Sequence, residues 1–326
     1  MNACILELVD TRMHFPVGRG MFKAKARIRA VDGVSLQIQT GETFGLVGES
    51  GCGKTTLGKC ILSLHRLSGG RILYNGNDIS ELSGRQFLPY RREISMIFQD
   101  PNACLNPRLK VRELIAEPLR FHKLALSRRE MEKKVDGVLE DVRLNHRYKN
   151  RYPHEFSGGQ QQRIGIARSL ILQPRFIVCD EPVSALDVSV QAQIINLLNS
   201  LQAEYNLTYL FISHDLSVVR FISRRLAIMY LGKVVEMGSG DELFANPAHP
   251  YTESLLSAAP VPDPNNEKQR IILKGEVPSP LNLPGGCRFH PRCRYATDVC
   301  SKREPELEQI QEQHRVACHN YREVYR

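Results

Sequence analysis

No stretch of this sequence is apolar for long enough to cross a bilayer. The longest runs, such as "LIL" after Ser169 and "LTYLFIS" before His214, fall far short of the roughly 18 residues a spanning helix needs. The opening "MNACILELVD" has no basic start, apolar stretch and small-residue cleavage site in the order of a secretory signal. The expectation is therefore a chain that stays in the cytoplasm. There is no internal repeat and no low-complexity tract. There is also no C-x-x-C pair among the 9 cysteines, so the knuckles typical of structural zinc sites are missing. A chain of 326 residues buries enough core to fold without a disulfide framework, which excludes a small secreted scaffold.

What is present describes a folded protein of about two domains. Hydrophobic residues make up 42% and charged residues 24%, far from the composition of a disordered chain. Lys plus Arg number 44 against 35 acids, a formal charge of +9, which permits attraction to nucleotides, nucleic acid or an acidic surface. The basic residues are spread in short groups (Lys23 to Arg29, Arg91 and Arg92, Arg128 and Arg129), the pattern of solvated faces.

Short apolar runs alternate with longer amphipathic segments, the α/β pattern. "TFGLVG" (Thr43 to Gly48) reads as a buried strand feeding a helix from Lys54. "RFIVCDEP" and "LTYLFISHD" read as two more buried strands of a sheet covered on both faces. Between Pro101 and Tyr152 the pattern turns helical and charged, with helices expected from Val111 to Phe121 and Ser127 to Arg143. After Tyr251 prolines punctuate the chain, and a boundary is expected near Ala259.

Gly48-Glu49-Ser50-Gly51-Cys52-Gly53-Lys54-Thr55 fits G-x-x-x-x-G-K-[ST] between a strand and a helix. Glycines at these positions let backbone N–H groups wrap phosphates, the helix N-terminus adds partial positive charge, and Lys54 adds a point charge. Thr55 is placed to offer its hydroxyl oxygen to Mg²⁺. Asp180 and Glu181 end an apolar strand, where a doubly wound sheet exposes its ligand crevice. Asp180 is expected to hold the Mg²⁺ shell through water and Glu181 to act as general base on the attacking water. His214, one strand later, is a candidate for the γ-phosphate or the water. In "FSGGQ", Ser157 is a good N-cap, and Gly158, Gly159 and Gln160 open a helix able to receive a second anion. One site does not need two such helix N-termini, which suggests that the second serves a nucleotide held by another subunit.

These residues resemble the ATP-binding-cassette ATPases. In that family "FSGGQ" is similar to the signature, "SALD" (Ser184 to Asp187) to the D-loop, and Gln99 in "IFQDP" to the Q-loop glutamine that contacts Mg²⁺ and water. Phe156 and Gln161 depart from the usual residues without removing a catalytic group. The resemblance implies a mixed core sheet, an antiparallel N-terminal β subdomain and a helical subdomain at about 101–173. It also implies nucleotide contacts from Gly48 through Thr55 and Thr56, with Gln99, Asp180, Ser157 to Gln160 and Asp187, and an adenine-stacking aromatic, for which Phe15 fits best and Phe22 next. "DPNACLNPR", "IMYLGKVVE", "NPAHPYTESLL" and "GEVPSP" followed by "GCRFHPRC" further resemble the ATPase subunits of dipeptide and oligopeptide importers, leaning to the second of their two paralogous ATPases. That resemblance implies ATP hydrolysis in a head-to-tail dimer with a second cassette ATPase. It further implies two membrane permeases, an extracytoplasmic binding protein, and a peripheral place at the cytoplasmic membrane face. Nickel, glutathione and antimicrobial-peptide systems use close relatives. A soluble ATPase acting on nucleic acid fits poorly, since there is one phosphate loop, one signature and no RNA-binding module. A redox-sensing binding module stands against the intact Glu181.

Cys287, Cys293, Cys300 and Cys318 crowd into a segment expected to form a C-terminal extension over 260–326. Four thiolates with irregular spacing suit a [4Fe–4S] cluster, with zinc and unligated thiols as the alternatives. The resemblance adds that this extension binds such a cluster in several peptide-importer ATPases. Arg288, Arg292 and Arg294 lie beside the cysteines, either serving the cluster or facing solvent.

Overall fold

The computed structural model describes residues 3–17, 26–258, 271–273 and 275–325. Phe22 and the expected boundary at 259/260 lie outside the described residues. The strands are β1 (Cys4–Val17), β2 (Ala26–Gln39), β3 (Thr43–Val47), β4 (Gly69–Tyr74), β5 (Asn77–Asp78), β6 (Ile94–Ile97), β7 (Phe176–Asp180), β8 (Thr208–Ser213), β9 (Arg225–Tyr230), β10 (Lys233–Ser239), β11 (Glu308–Gln311) and β12 (His314–Val316). The chain falls into two compact units, one of Met1–Ala3, Gln39–Glu42 and Ser83–Leu210, the other of Cys4–Ile38, Thr43–Leu82 and Phe211–Arg326.

In the second unit one sheet runs β2-β1-β4-β5, with β1–β4 and β4–β5 antiparallel. The other runs β11-β12-β10-β9-β3. It is mixed, because β3 pairs in parallel with β9 while β9–β10, β10–β12 and β11–β12 are antiparallel. Phe44, Leu46 and Val47 of β3 and Leu226, Ala227, Ile228 and Met229 of β9 are fully buried, as a strand covered on both faces requires. A two-residue hairpin joins β9 to β10, with Leu231 and Gly232 both at positive φ, 42° and 86°. That backbone twist matches the right-handed twist of the flanking strands.

The expected extension does not stand apart from this sheet, because β12 adds to β10 in the register Glu236↔Val316. Side-chain pairs fasten it. His314 Nε2 lies 2.7 Å from Glu236 Oε1, both residues fully buried, and Glu236 also accepts the N–H groups of Ala248 (2.6 Å) and His249 (3.0 Å). Arg288 donates to Asp32 and to the Leu231 carbonyl. Burial alone would raise the Asp32 carboxyl, but the Arg288 hydrogen bond and charge, with His14 and Lys233, hold it below the usual carboxylate range. Arg292 reaches Glu49.

In the first unit β6 and β7 are parallel, and the helical stretch carries the expected elements. Val111–Phe121 is a helix, and Arg128–Asp141 is another, capped by Ser127. The Glu130 N–H donates to Ser127 Oγ (3.3 Å) and the Ser127 N–H to Glu130 Oε2 (2.7 Å), the reciprocal pairing that an S-x-x-E start encodes. The helix Val188–Tyr205 stops where Asn206 turns left-handed, φ 51°, a conformation asparagine tolerates.

Candidate functional site

β3 ends at Val47 and the helix Lys54–Ile61 begins after Gly53, so the segment expected to bind phosphate lies in a loop between a strand and a helix. Two of its glycines are required by close backbone approach. A Cβ on Gly48 would lie 2.1 Å from the Met229 carbonyl oxygen, and one on Gly53, at φ +108°, 1.9 Å from that of Ala30. Gly51 is left-handed for the turn alone, φ +80° with nothing nearby, and Ser50 beside it is exposed. Lys54 is 4% exposed. Its ammonium donates to the carbonyls of Gly48 (2.7 Å) and Glu49 (3.0 Å). Thr55 and Thr56 occupy the first helical turn, half-buried. Cys52 packs beneath, its thiol pushed up by burial against the opposing pull of Lys54. Its carbonyl accepts the Gly232 N–H at 2.8 Å, so the β9–β10 hairpin braces the loop.

Glu49 is gripped from three directions. Its N–H donates to the Tyr251 hydroxyl (2.8 Å) and its carbonyl accepts Lys54. Its carboxylate takes both arms of the Arg292 guanidinium, Nη1–Oε2 2.9 Å and Nη2–Oε1 3.2 Å. Tyr251 and Arg292 were not singled out by sequence reasoning for this loop. Their motifs, "NPAHPYTESLL" and "GCRFHPRC", are visible, but no spacing rule connects them to a loop some two hundred residues upstream.

In the first unit Asp180 closes β7, 3% exposed. Glu181 follows at φ +46°, a left-handed conformation that a side chain other than glycine or asparagine holds at a cost and that is found disproportionately at functional sites. The Gln99 side-chain amide donates to Glu181 Oε2 at 3.0 Å, bringing the two expected water-handling groups together. The Glu181 carbonyl accepts from the backbone and hydroxyl of Ser184 (3.2 and 3.1 Å), and Asp187 stands at the N-cap position of the helix Val188–Tyr205, its carbonyl accepting the Val190 and Gln191 N–H groups (2.9 and 2.8 Å). Ser157 caps the helix Gly158–Leu170, with its N–H donated to Gln160 Oε1 (3.1 Å). Gly159 is obligatory, since a Cβ there would sit 2.4 Å from Val190 Cγ1. The departures from the family pattern are packing residues. Phe156 is buried edge-on to Tyr148, and buried Gln161 donates to the carbonyls of Pro153 (2.9 Å) and Phe156 (3.2 Å).

His214 is exposed in the turn after β8, a turn held by the Asp215 N–H on Ser213 Oγ (2.9 Å). Phe15, on β1, is half-buried and edge-on to His65, centroids 5.3 Å apart. The oxygen donors Thr55, Gln99 and Asp180 are of the hard type that Mg²⁺ prefers.

Among the described residues no group of three or more His, Cys, Asp and Glu side chains is arranged to hold a metal ion. Cys287, Cys293, Cys300 and Cys318 therefore do not form such a group, and the expectation of a cluster there gains no support from it. Local hydrogen bonding engages one of the four sulfurs. The Cys300 sulfur lies 3.5 Å from Thr297 Oγ1 and receives the Asn320 amide at 3.6 Å. The thiols are nevertheless close enough to act on one another. Burial first, and nearby cysteines of the segment second, push Cys287 up to about 11 and Cys318 up to about 12. Of the neighbouring arginines, Arg288 and Arg292 are turned away from solvent, their side chains 7% and 8% exposed, while Arg294 is 48% exposed. Arg288 is paired with Asp32, Arg292 with Glu49 and Arg294 with Glu253.

A buried phosphate-loop lysine, an Asp-Glu strand end and a capped S-G-G-Q helix together define a nucleotide-binding cassette. Solved structures agree. The dimeric ATP-binding cassette MJ0796 in a post-hydrolysis state bound to ADP and Pi is 31% identical with a TM-score of 0.65, covering 72% of this chain and 99% of that one. A nucleotide-free cassette from an ABC transporter is 26% identical with a TM-score of 0.64, covering 78% of this chain and 98% of that one. The family model "ABC transporter" matches residues 31–184, and "Oligopeptide/dipeptide transporter, C-terminal region" matches residues 235–300. The oligopeptide transport ATP-binding protein AppF of Bacillus subtilis is 52% identical, with 97% of each chain covered. OppF of Escherichia coli is 50% identical over 93% of this chain and 92% of its own. The dipeptide transport ATP-binding protein DppF of Haemophilus influenzae is 46% identical over 97% of each. The chain belongs to the ABC transporter ATPases that carry the oligopeptide/dipeptide transporter C-terminal region.

Proposed function

We propose that this chain hydrolyses ATP to power the import of di- or oligopeptides across the cytoplasmic membrane. It works from the inner face as a peripheral subunit beside two permeases, a second cassette ATPase and an extracytoplasmic binding protein. The observation that carries the enzymatic reading is the Glu181 carboxylate held by Gln99 at 3.0 Å. The near full-length likeness to peptide-transport ATPases carries the solute class. No described helix is long and apolar enough to cross a membrane, so passage of the solute requires partner permeases.

In this reading the loop N–H groups, the helix N-terminus at Lys54 and its ammonium bind the β- and γ-phosphates, and Phe15 stacks on the adenine. Catalysis is then largely electrostatic positioning. Glu181 takes a proton from the attacking water while Gln99 and His214 orient that water. Thr55, Gln99 and Asp180 would hold Mg²⁺, which would supply positive charge against the phosphates. Ser157, Gly158, Gly159 and Gln160, with Asp187, complete the nucleotide site of the partner ATPase, and the helices of about 101–173 carry the movement to the permeases.

The extension over 260–326 is proposed to hold a [4Fe–4S] cluster on Cys287, Cys293, Cys300 and Cys318. One zinc ion would need its sulfurs about 3.8 Å apart, given Zn–S bonds of about 2.3 Å in a tetrahedron. A cluster spreads its thiolates over four irons and accepts a looser set. The fold of the segment supports this assignment over scattered, unligated cysteines, since the Cys287 N–H donates to the Cys300 carbonyl at 2.8 Å and one short turn carries Cys287 and Cys293.

One preparation tests the proposal. The chain is purified anaerobically from its native membranes in mild detergent, with its partners identified by mass spectrometry and its iron and absorbance measured. Two multi-spanning permeases, a second cassette ATPase, and a broad band near about 400 nm that disappears in Cys293→Ser are expected. Recovery from the soluble fraction with ribosomes or DNA would overturn the function. Full iron content in Cys293→Ser would overturn the cluster.

A further inference from the structure

We propose that the C-terminal extension positions the phosphate loop, with Arg292 acting as a positioning residue that neutralises Glu49 and so sets the affinity for the nucleotide. This inference rests on reading the loop from Gly48 to Thr55 as the ATP site.

Three observations carry it. Glu49 follows the first glycine of the loop, and its carboxylate is the one negative side chain between Gly48 and Thr55. An acid at that place opposes what the rest of the loop does, because Lys54 and the helix N-terminus are arranged to attract phosphate. The guanidinium that faces it makes two parallel contacts of 2.9 and 3.2 Å. Bidentate pairing fixes direction as well as charge, so the carboxylate is held to one side. The pair is also largely out of water, the Arg292 side chain 8% exposed and that of Glu49 26%, where charge is screened far less than at an open surface.

The scaffold behind Arg292 leaves it little freedom. Phe289, three residues earlier, packs against Tyr230 and Tyr251 with centroids 5.3 and 5.4 Å away, and all three rings are buried. The Arg292 guanidinium lies over the Tyr230 ring and contacts its hydroxyl at 3.4 Å. Tyr251, from the same cluster, accepts the Glu49 N–H. The turn that presents Arg292 is closed by His290 N–H on the Cys287 carbonyl (3.1 Å) and Cys293 N–H on the His290 carbonyl (3.2 Å). Its first cysteine is tied to the Cys300 carbonyl at 2.8 Å. Displacing the cysteine-bearing turn therefore displaces the counter-charge of the phosphate loop.

The charge argument makes a particular prediction. Removing Arg292 leaves an unbalanced carboxylate among the phosphate-binding groups, and removing Glu49 as well takes away the repulsion. Affinity of the full chain for trinitrophenyl-ATP with Mg²⁺ is measured by fluorescence titration for wild type, Arg292→Lys, Arg292→Gln, Glu49→Gln and the Glu49→Gln/Arg292→Gln double variant, each checked by thermal melting. Arg292→Gln is expected to bind about 10-fold more weakly. Arg292→Lys recovers part of the loss, and the double variant returns to within about 3-fold of wild type. In the membrane complex Arg292→Gln raises KM for ATP far more than it lowers kcat. Binding by Arg292→Gln within about 2-fold of wild type, or no recovery in the double variant, overturns the proposal. If Arg292→Gln does not fold, Arg292→Lys and the double variant decide it, because a purely structural arginine is not rescued by deleting the Glu49 charge. A Lys54→Ala control separates the two readings: wild-type binding that survives it shows that the loop is not the ATP site, and both then fall.

Discussion

The phosphate loop and the carboxylate segment are built in opposite ways. Around Gly48 to Thr55 the loop is tied to partners distant in sequence: Glu49 to Tyr251 and Arg292, the Cys52 carbonyl to Gly232. Two glycines are pressed against the carbonyls of Ala30 and Met229. At Gln99 and Glu181 the side chains are exposed or half-buried, joined by one hydrogen bond, and the backbone at Glu181 is held left-handed. A cradle for phosphate profits from rigidity, because preorganised dipoles need not reorient as charge develops. The general base proposed at Glu181 must change protonation and partner during each cycle, and tight packing would oppose that. The first region is thus expected to respond to substitution through stability and affinity, the second through rate.

The largest effect that would sharpen this contrast is at the pair behind the loop's scaffold. His314→Ala strips a buried partner from Glu236, and breaking a buried pair from one side costs about 3 kcal/mol or more. Chemical denaturation should show that loss while Glu181→Gln melts like wild type. Equal stability of His314→Ala and wild type would break the comparison on its first side. On the second side, Glu181→Gln should still bind ATP but hydrolyse it about 100-fold more slowly, within the range of general-base contributions. Undiminished phosphate release by that variant would reject Glu181 as the base.

A smaller effect lies in the pH dependence of the scaffold. His249 is fully buried, and burial pulls its imidazole down to about 3. Its Nδ1 accepts the Tyr251 N–H at 3.0 Å, and Nε2 has no partner among the described residues. The folded state therefore keeps His249 neutral while the unfolded chain protonates it near pH 6.5, which favours unfolding as pH falls. Stability is complete above about pH 6.5 and declines below it by up to about 1.4 kcal/mol per pH unit. Denaturation midpoints at pH 7, 5.5 and 4.5 should fall less steeply in His249→Asn. Parallel curves for the two proteins would remove His249 from the account.

Much of this architecture was legible in the residues. Val111–Phe121 formed as a helix because its apolar positions recur with helical period, and the helix after Ser127 starts where S-x-x-E closes a capping box. The phosphate loop, the strand ending at Asp180 and the Ser157 cap are local signals, each complete within about ten residues. Other features had no local signal. Nothing in "EQIQ" or "HRV" announces strands β11 and β12, because their pairing depends on β10, some eighty residues earlier. The cysteines were visible as a group, but the destinations of Arg288, Arg292 and Arg294 were not, since a guanidinium beside cysteines reads the same whether it meets a carboxylate or water.

By itself, then, the sequence determined the chemistry available: a lysine and glycines at the spacings of a strand-loop-helix phosphate motif, and a glutamine and two carboxylates each in a local motif of its own. Those spacings are fixed by backbone geometry, and a short window of sequence contains them whole. Tertiary structure alone decided what holds that chemistry in place, joining Arg292 to Glu49, His314 to Glu236 and Gly48 to the Met229 carbonyl. Such contacts depend on where distant segments meet in the folded chain, and no pattern within a short window of sequence records that.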